Sequence, residues 1–537
     1  MTYDFIIIGA GSAGCVVASR LSEAGHRVLL LEAGPSDHRI WVQIPIGYGK
    51  SFYDHRLNWM YLTEAIPGLG DRVNFVPRGK ILGGSSSINA MVYIRGQSQD
   101  FDDWAALGNR GWSWKDVLAY YRRMEDHALG ESDYHGVDGP LHVTDISAEA
   151  HPLCRAFFRA AEEAGLPFNQ DLNGKSQEGV GYYQITTRNG FRLSSARAFL
   201  WPAMRRRNLR VETMAQATRI FFEGRHAVGV EFLQHGKRRK ATAACEIILS
   251  AGAINSPQLL QLSGVGPSDL LRSRGIDVVH DSAAVGQHLQ DHLCYDHIYR
   301  ARQPTLNDEL YRWWGKLAAG LRYMLLRRGP LALSVNQAGG FFRSRPELSK
   351  PNIQLYFSPL SYEKTPPGTR ALMAPDPFSG FSMSVSPCRP TSRGHVEIRS
   401  ADPFEAPAIY ANYLSTNQDR AELLSGARFL RRLAATNAMS SIIAEELKPG
   451  PVNASEEQLR EDIRARSYSV FHAAGTCRMS PDPTSAVVDE RLRVHGLSGL
   501  RVIDASIFPT LPSGNINAPC IMTGAKGADL VLEDARS

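Results

Sequence analysis

Near its start the chain reads Asp4-Phe-Ile-Ile-Ile-Gly9-Ala-Gly11-Ser-Ala-Gly14, an apolar strand that runs into the pattern G-x-G-x-x-G. In a strand–turn–helix unit the first glycine permits the tight turn and the second lets a pyrophosphate approach the backbone. The third lets the helix pack closely on the strand. The helix N-terminus also offers free N–H groups to the phosphates. The stretch predicts a dinucleotide site and leaves open which dinucleotide binds.

The next segments complete a β-α-β unit. A helix is predicted over residues 15–21, and a second apolar strand, residues 28–31, ends in Glu32. An acidic side chain roughly 20 residues after the first glycine suits the hydroxyls of a ribose. This context makes the glycine pattern a specific signal for nucleotide binding.

Length and composition set the class of protein. The 537 residues exceed what one hydrophobic core organises, so two or more domains are expected. With 43% hydrophobic and 21% charged residues and a net charge of +6, the chain resembles an ordinary globular protein. The short basic clusters at 205–207 and 237–240 favour solvated faces over a nucleic-acid surface.

Location is predicted from cysteines and hydropathy. The seven cysteines show no C-x-x-C spacing, which favours a reduced, cytoplasmic chain. No signal peptide is expected before the first strand, and no apolar run reaches the roughly 18–20 residues of a membrane span. Residues 313–328 form a basic, amphipathic segment that could lie on a membrane. Packing of this helix on its own core is the favoured interpretation.

Further along, strands are predicted at residues 220–222, 228–232 and 247–249, and a helix at 151–165. A helix is predicted to begin near Ser256, with Pro257 as its first residue. Residues 300–460 differ from the preceding segments in their scattered aromatic residues and prolines. The alternation of polar and apolar residues at 395–398 suggests a hairpin in a mixed α/β or antiparallel domain. A strand at 500–503 and a last helix from about Ala518 are predicted, and they resemble the strand and helix of the N-terminal β-α-β unit.

Three segments carry chemistry. Residues 79–89 form a glycine–serine cluster able to wrap a pyrophosphate or a flat ring. His472 is the best candidate for a general base, because a histidine titrates near neutral pH. Before the last helix, Asn517 is predicted to cap the helix and Pro519 to lie in its first turn, a role that leaves Asn515 unexplained.

With these motifs in this order, the sequence resembles the glucose–methanol–choline (GMC) flavin oxidoreductases, most closely their bacterial alcohol and choline dehydrogenase branch. The resemblance rests on residues 9–14 with Glu32, and on 79–95, 252–266, 285–292, 471–479 and 502–506. It implies an α/β fold in which a discontinuous, Rossmann-like FAD-binding domain comprises residues 1–96, 187–295 and 466–537. An α+β substrate-binding domain with an antiparallel sheet would comprise residues 97–186 and 296–465.

The resemblance implies FAD as the cofactor. Ile88 stands where some members carry a histidine that links FAD covalently, so non-covalent FAD is predicted. No metal site is predicted. The residues implied to bind FAD are Gly9, Gly11, Ser12, Ala13, Gly14, Glu32, Ala33, Arg78, Gly83, Gly84, Ser85, Asn89, Ala90, Met91, Val92, Ala217, Ala251, Asp504, Ala505 and Ile516.

The resemblance also implies a reaction. His472 occupies the position of the catalytic histidine and Asn515 that of its partner, so a primary alcohol would lose its proton to His472 and a hydride to flavin N5. Electrons would pass to a quinone or another acceptor. Gln337 stands where choline-active relatives place a glutamate that holds the substrate, which weakens the choline interpretation.

Three alternatives stay open at this point: an oxidase that reduces O₂ to H₂O₂, a choline dehydrogenase, and a non-redox lyase on the same fold. The predicted partners are a small-molecule alcohol and an electron acceptor, and no nucleic acid. Peripheral attachment to the inner membrane is also left open.

Overall fold

A computed structural model describes residues 2–362, 374–452 and 455–536. Strands and α-helices are numbered in chain order. The strands are β1 (Thr2–Ile8), β2 (Val28–Leu31), β3 (Tyr61–Leu62), β4 (Phe75–Val76), β5 (Glu125–His127), β6 (Leu141–Val143), β7 (Gly179–Tyr182), β8 (Thr187–Arg188), β9 (Phe191–Arg192), β10 (Leu209–Glu212), β11 (Ala215–Glu223), β12 (His226–Gln234), β13 (Lys237–Leu249), β14 (Val265–Gly266), β15 (His280–Asp281), β16 (Leu293–Ala301), β17 (Ala338–Phe342), β18 (Ile353–Ser358), β19 (Gly380–Pro387), β20 (His395–Glu397), β21 (Ala408–Tyr410), β22 (Ile443–Lys448), β23 (Tyr468–Ser469) and β24 (Leu500–Val502).

Helices occur throughout the described ranges, and Ala196–Leu200 forms a π-helical turn. The α-helices are α1 (Ser12–Glu23), α2 (Ile40–Gln43), α3 (Tyr48–Ser51), α4 (Ser98–Ala106), α5 (Trp114–Met124), α6 (Leu153–Glu163), α7 (Trp201–Ala203), α8 (Gly252–Leu262), α9 (Ser268–Ser273), α10 (Leu306–Tyr311), α11 (Trp313–Leu326), α12 (Asn417–Ala435), α13 (Asn437–Ser440), α14 (Glu456–Arg466) and α15 (Asn517–Asp534).

The first seven-stranded sheet contains the predicted β-α-β unit. Strand β1 pairs in parallel with β2 and β13, β2 pairs with β10, and the end of β13 pairs with β24. Strands β12 and β11 extend the sheet in antiparallel register. The apolar runs of β1 and β13 are buried, as expected for parallel strands covered on both faces.

Helix α15 brings the C-terminal part of the chain to the N-terminal unit by packing on α1. At Gly524 a Cβ atom would lie 2.7 Å from the carbonyl oxygen of Ala13, so the two helices are in close backbone contact. This contact confirms that both ends of the sequence build one Rossmann-like body.

The second seven-stranded sheet is antiparallel, in the order β22-β16-β19-β18-β17-β7, with β23 also pairing with β16. Helices α6 and α12 pack on it through aromatic stacking, with ring centroids 4.8 Å apart for Phe157 and Phe357 and 4.1 Å apart for Phe342 and Phe429. The predicted fold class, a Rossmann-like domain with an antiparallel second domain, is confirmed. The sequence boundaries of the two domains stay a prediction.

The start of α8 was predicted wrongly. The helix begins at Gly252, and Pro257 lies inside it. A proline there cannot donate to the carbonyl four residues earlier. That carbonyl, of Ala253, instead accepts a hydrogen bond from the Thr476 hydroxyl at 2.6 Å. The tertiary contact satisfies the group that would otherwise have ended the helix.

Helix α11 confirms that the segment 313–328 is helical, but the favoured interpretation, packing of this helix on its own core, is wrong for most of its residues. Ala319 and Tyr323 are its buried residues. Within the described ranges, no helix is long and apolar enough to cross a membrane.

Candidate active site

One long cavity runs from the glycine turn after β1 to His472 beside the antiparallel sheet. Gly14, Gly83 and Gln337, which the sequence had assigned to the site, do not line it. The other predicted site residues all line this cavity: Gly9, Gly11, Ser12, Ala13, Glu32, Ala33, Arg78, Gly84, Ser85, Asn89, Ala90, Met91, Val92, Ala217, Ala251, His472, Asp504, Ala505, Asn515 and Ile516.

The three glycines of the turn have the separate roles that the pattern predicts. Gly9 has φ +103°, and a Cβ there would lie 2.4 Å from the Ser250 carbonyl oxygen. At Gly14 a Cβ would lie 2.0 Å from the Gly9 carbonyl oxygen, so this glycine serves packing rather than contact with a ligand. At Gly11 the nearest atom would be 3.8 Å away, which leaves the cavity side of the backbone open.

Glu32 closes one end of the cavity. Its Oε2 accepts a hydrogen bond from the Ala10 amide at 3.0 Å and its Oε1 one from the Gly34 amide at 2.8 Å. Burial outweighs these bonds and raises the pKa of Glu32 to about 7. A carboxylate has about four acceptor positions, so the bonds to backbone amides leave it able to accept from a ribose hydroxyl.

The glycine–serine loop covers the first turn. The Gly83 amide donates to the Ala10 carbonyl at 2.7 Å. At Gly84, whose φ is +51°, a Cβ would lie 2.7 Å from the Gly11 Cα. Glycine therefore faces glycine across the cavity wall, and no side chain fills the space where a pyrophosphate would lie.

Two helix N-termini meet at this point. The Ser12 hydroxyl at the start of α1 donates to Asn517 Oδ1 at the start of α15, at 2.7 Å. The predicted capping role of Asn517 is therefore wrong, because Ile516 is the N-cap and Asn517 is the first helical residue. Helix N-termini favour anionic groups. Pro519 lies in the first turn of α15, as predicted.

These features fit the cofactor implied by the resemblance. The cavity offers a carboxylate at one end, open backbone at Gly11 and two helix N-termini. It also holds the guanidinium of Arg78, whose Nε is buried without a partner among the described residues. The buried Ile88 side chain lines the same wall and has no group that could form a covalent link.

Strand pairing places His472. Strand β23 pairs with β16 so that Ser469 lies opposite Leu293, and the Val470 amide donates to the His292 carbonyl at 3.1 Å. His292 directly precedes β16, and His472 follows β23 by three residues. Residues far apart in sequence thereby become neighbours.

Asp291 fixes the backbone of the histidine. Its Oδ1 accepts from the His472 amide at 2.6 Å, and its Oδ2 accepts from the Tyr413 hydroxyl at 2.5 Å and from the Ser469 hydroxyl. The carbonyl of Phe471, a residue with φ +70°, accepts from the Arg78 guanidinium. The loop that carries His472 is therefore held from both sides.

A chain of hydrogen bonds defines the tautomer of His472. His292 Nε2 lies 2.7 Å from the Cys388 carbonyl, which can only accept, so His292 carries its proton on Nε2. His292 Nδ1 is then an acceptor, and His472 Nδ1, 2.9 Å away, must donate to it. In neutral His472 the Nε2 atom is therefore unprotonated and can act as a base.

Asn515 lies on the other side of that nitrogen. Its Nδ2 is 3.2 Å from His472 Nε2, and its Oδ1 accepts from Gln354 Nε2 at 3.1 Å. Gln354 Oε1 in turn accepts from the Tyr356 hydroxyl at 2.7 Å. This network orients the Asn515 amide so that Nδ2 donates toward His472.

Burial keeps both histidines neutral. It lowers the pKa of His472 well below its ordinary value, with smaller contributions from the neighbouring His292 and Arg78. Burial also lowers the pKa of His292. The pair is therefore uncharged near neutral pH, which is the state that a proton-accepting His472 requires.

Two family models match the chain. Both are described as GMC oxidoreductase, one over residues 3–294 and the other over residues 390–524. The chain is a GMC oxidoreductase. This confirms the resemblance deduced from the motifs.

Relatives of this GMC oxidoreductase extend over nearly its whole length. It is 43% identical to the mitochondrial choline dehydrogenase of Mus musculus, over 98% of the chain and 89% of the relative. It is 42% identical to the alcohol dehydrogenase [acceptor] of Pseudomonas putida, over 99% and 96% respectively. Among solved structures, pyridoxine 4-oxidase from Mesorbium loti superposes with a TM-score of 0.86 at 32% identity, over 98% of both chains.

The half of the GMC oxidoreductase cavity that contains His472, where the substrate would bind, lies against the antiparallel sheet. Gln337 does not reach it, because its Oε1 accepts from the His151 amide at 2.7 Å, and the preceding Asn336 lines the cavity instead. Sequence reasoning missed the side chains that the sheet contributes here, although serines two apart on one strand are a signal for one face. These are Asp296, Ile298, Tyr356, Ser358, Ser382 and Ser384.

His292 and Gln354 were also missed as functional residues. His292 belongs to a quoted motif, but its role depends on the distance to His472, which no spacing in the sequence reveals.

Proposed function

We propose that this GMC oxidoreductase oxidises a primary alcohol, aliphatic or aromatic, to the aldehyde. At a coarser level, the chain is an FAD-linked oxidoreductase of alcohol-type CH–OH groups, in line with relatives described as choline and alcohol dehydrogenases and a solved one described as FAD-dependent. The observation that carries the finer proposal is the unprotonated Nε2 of a neutral His472, next to an amide donor, at the cavity surface.

The residues divide the work as follows. His472 Nε2 accepts the hydroxyl proton of the alcohol, while Asn515 Nδ2 donates a hydrogen bond to the same oxygen. His292 keeps the proton of His472 on Nδ1 throughout. General base assistance of this kind accelerates a reaction by roughly 10²–10⁴-fold. Bound FAD supplies the acceptor for the hydride from the carbon, at flavin N5.

FAD would be held without a covalent bond. Glu32 would bind the adenosine ribose, and the open backbone at Gly11 would bind the pyrophosphate. The N-terminus of α15 would stabilise negative charge on the flavin ring. We propose that electrons pass to a quinone or another acceptor and that the enzyme makes a peripheral membrane contact. O₂ is the alternative acceptor, and its use would make the enzyme an oxidase.

Choline is a second candidate substrate. The Asp296 carboxylate lines the substrate half of the cavity and would attract a quaternary ammonium group. Arg466 Nη1 lies 3.4 Å from this carboxylate and offsets its charge. The absence of a carboxylate at Gln337 no longer argues against choline, because Gln337 does not face the cavity.

An anaerobic flavin-bleaching screen tests the proposal. Choline, linear alcohols, benzylic alcohols and sugar-like polyols are mixed with the holoenzyme, and loss of flavin absorbance identifies the substrate. His472→Ala should keep bound FAD and reduce the bleaching rate by roughly 10²–10⁴-fold. The matched control is His297→Ala, which removes a buried histidine of β16 that does not line the cavity.

Each outcome is decisive. Bleaching at the wild-type rate in His472→Ala protein would refute the role of this residue. If no alcohol bleaches the flavin, the non-redox lyase becomes the better hypothesis. Stopped-flow reoxidation of the reduced enzyme by air and by a soluble quinone then separates the oxidase from the dehydrogenase.

A further inference from the structure

Helix α11 turns an apolar face to solvent. Spaced at about 100° per residue, six large apolar side chains fall within an arc of about 120°, opposite the buried Ala319 and Tyr323. Trp313 is 70% exposed and Leu325 is 78% exposed. The surface helix of a soluble protein normally carries polar side chains at these positions. The six are Trp313, Trp314, Leu317, Leu321, Met324 and Leu325.

Helix α2 lies near the inward face of α11. Ile44, the residue that follows α2, packs in one cluster with Tyr323 of α11. Ile40 and Trp41 of α2 are exposed large apolar residues. We call the six exposed side chains of α11 the α11 surface.

The charges next to the α11 surface are all positive along the helix. Residues 311–329 contain five cationic side chains and no acidic one. Lys316 and Arg322 flank the apolar arc on its two sides, and Arg312 stacks on the Trp314 ring. Arg322 and Arg328 both pair with the single carboxylate of Glu149, at 3.0 and 3.9 Å, so five cations meet one carboxylate and the rim stays basic. An anionic partner therefore complements this surface.

We propose that the α11 surface docks in the plane of a membrane leaflet that contains anionic lipid. An amphipathic helix with tryptophan and leucine on one face and basic residues at its edges binds in this way. Tryptophan side chains prefer the membrane–water interface. A second copy of this chain is a poorer partner, because a symmetric contact would bring the same five cations together.

Docking would place the lipid surface close to the substrate half of the cavity. Ala319, on the inward face of α11, belongs to one apolar cluster with Tyr48 and Val335. Both of these residues also line the cavity. A membrane at the α11 surface would thus adjoin the wall of the active site, independently of which alcohol the enzyme oxidises.

Co-sedimentation of the holoenzyme with vesicles tests the proposal. We expect binding to phosphatidylcholine–phosphatidylglycerol vesicles and weaker binding to phosphatidylcholine alone. In L317E/L325E binding should fall at least tenfold. The matched control is L107E/V452E, because Leu107 and Val452 are 54% and 78% exposed and Leu317 and Leu325 are 55% and 78% exposed. K316Q should weaken binding to the anionic vesicles about fivefold.

Several results would overturn the proposal. One is a wild-type holoenzyme that does not sediment with either vesicle, and another is an equal loss in the control variant. A dimer in light scattering that L317E/L325E converts to monomer, without vesicle binding, would assign the surface to a second copy. If L317E/L325E does not fold, brominated lipid should still quench wild-type tryptophan fluorescence more than that of W313F/W314F. Equal quenching would refute docking through α11.

Discussion

Replacing His292 by leucine removes the acceptor that defines the tautomer of His472. The imidazole N–H of His472 would lose its partner at 2.9 Å in a buried site. An unsatisfied buried donor costs about 1–3 kcal/mol. In the opposite tautomer no donor is left unpaired at Nδ1, but the proton lies on Nε2, which faces the Asn515 N–H groups and can no longer accept a proton.

The active tautomer is therefore disfavoured by about 1–3 kcal/mol, and flavin reduction should slow by roughly 5- to 150-fold. His292→Gln should recover much of the rate. A glutamine can accept from His472 through its carbonyl and donate to the Cys388 carbonyl through its amide, as His292 does.

Anaerobic stopped-flow measurement of flavin reduction at saturating substrate checks this reasoning. His297→Leu is the control, because it removes a buried histidine of the same strand that does not line the cavity. Thermal unfolding and FAD content show whether each variant is folded. Equal rates in the leucine and glutamine variants of His292, or a wild-type rate in both, would refute the tautomer argument.

Three further predictions concern pH and cofactor. Burial lowers the pKa of His472, so its neutral form persists below pH ~6.5. The flavin-reduction rate should therefore stay level as pH falls through ~6.5. A fall in this rate centred at or above that pH would contradict the assignment of His472. Gly11→Ala should fold normally, because its Cβ would meet nothing closer than 3.8 Å and its φ is −80°. The variant should bind FAD more weakly in a fluorescence titration, whereas the control Gly320→Ala should keep its FAD affinity. Denaturation should release FAD into the supernatant, because Ile88 offers no covalent link; flavin that stays with the precipitated chain would show otherwise.

Local patterns predicted much of the Rossmann-like domain. The turn after β1 needs glycine at φ +103°, and strand β2 is an unbroken apolar run. Both features can therefore be recognised from one sequence without an alignment. The start of α8 was misjudged for a physical reason. Pro257 is tolerated inside the helix because Thr476, more than 200 residues away, satisfies the carbonyl that it leaves free.

The sequence predicted most residues of the candidate site but not the hydrogen bonds that join them. His472 and Asn515 were identified through the resemblance, and both line the cavity. Gln337 was assigned to the substrate, but its side chain, just before β17, accepts from the His151 amide, and the preceding Asn336 lines the cavity instead. The serines of β18 and β19 line the same part of the cavity only because these strands pair in one register.

The sequence by itself determined a dinucleotide turn, because its residues are close together in the chain, and the family, because its motifs occur in a fixed order; the ribose role of Glu32 and the catalytic role of His472 are predictions from the same patterns. Only the tertiary structure decided which nitrogen of His472 is free. That choice follows from the β16–β23 pairing, which brings His292 within 2.9 Å of His472 and directs its other nitrogen to the Cys388 carbonyl. Proton position depends on hydrogen-bond partners in space, and spacing along the chain does not specify them.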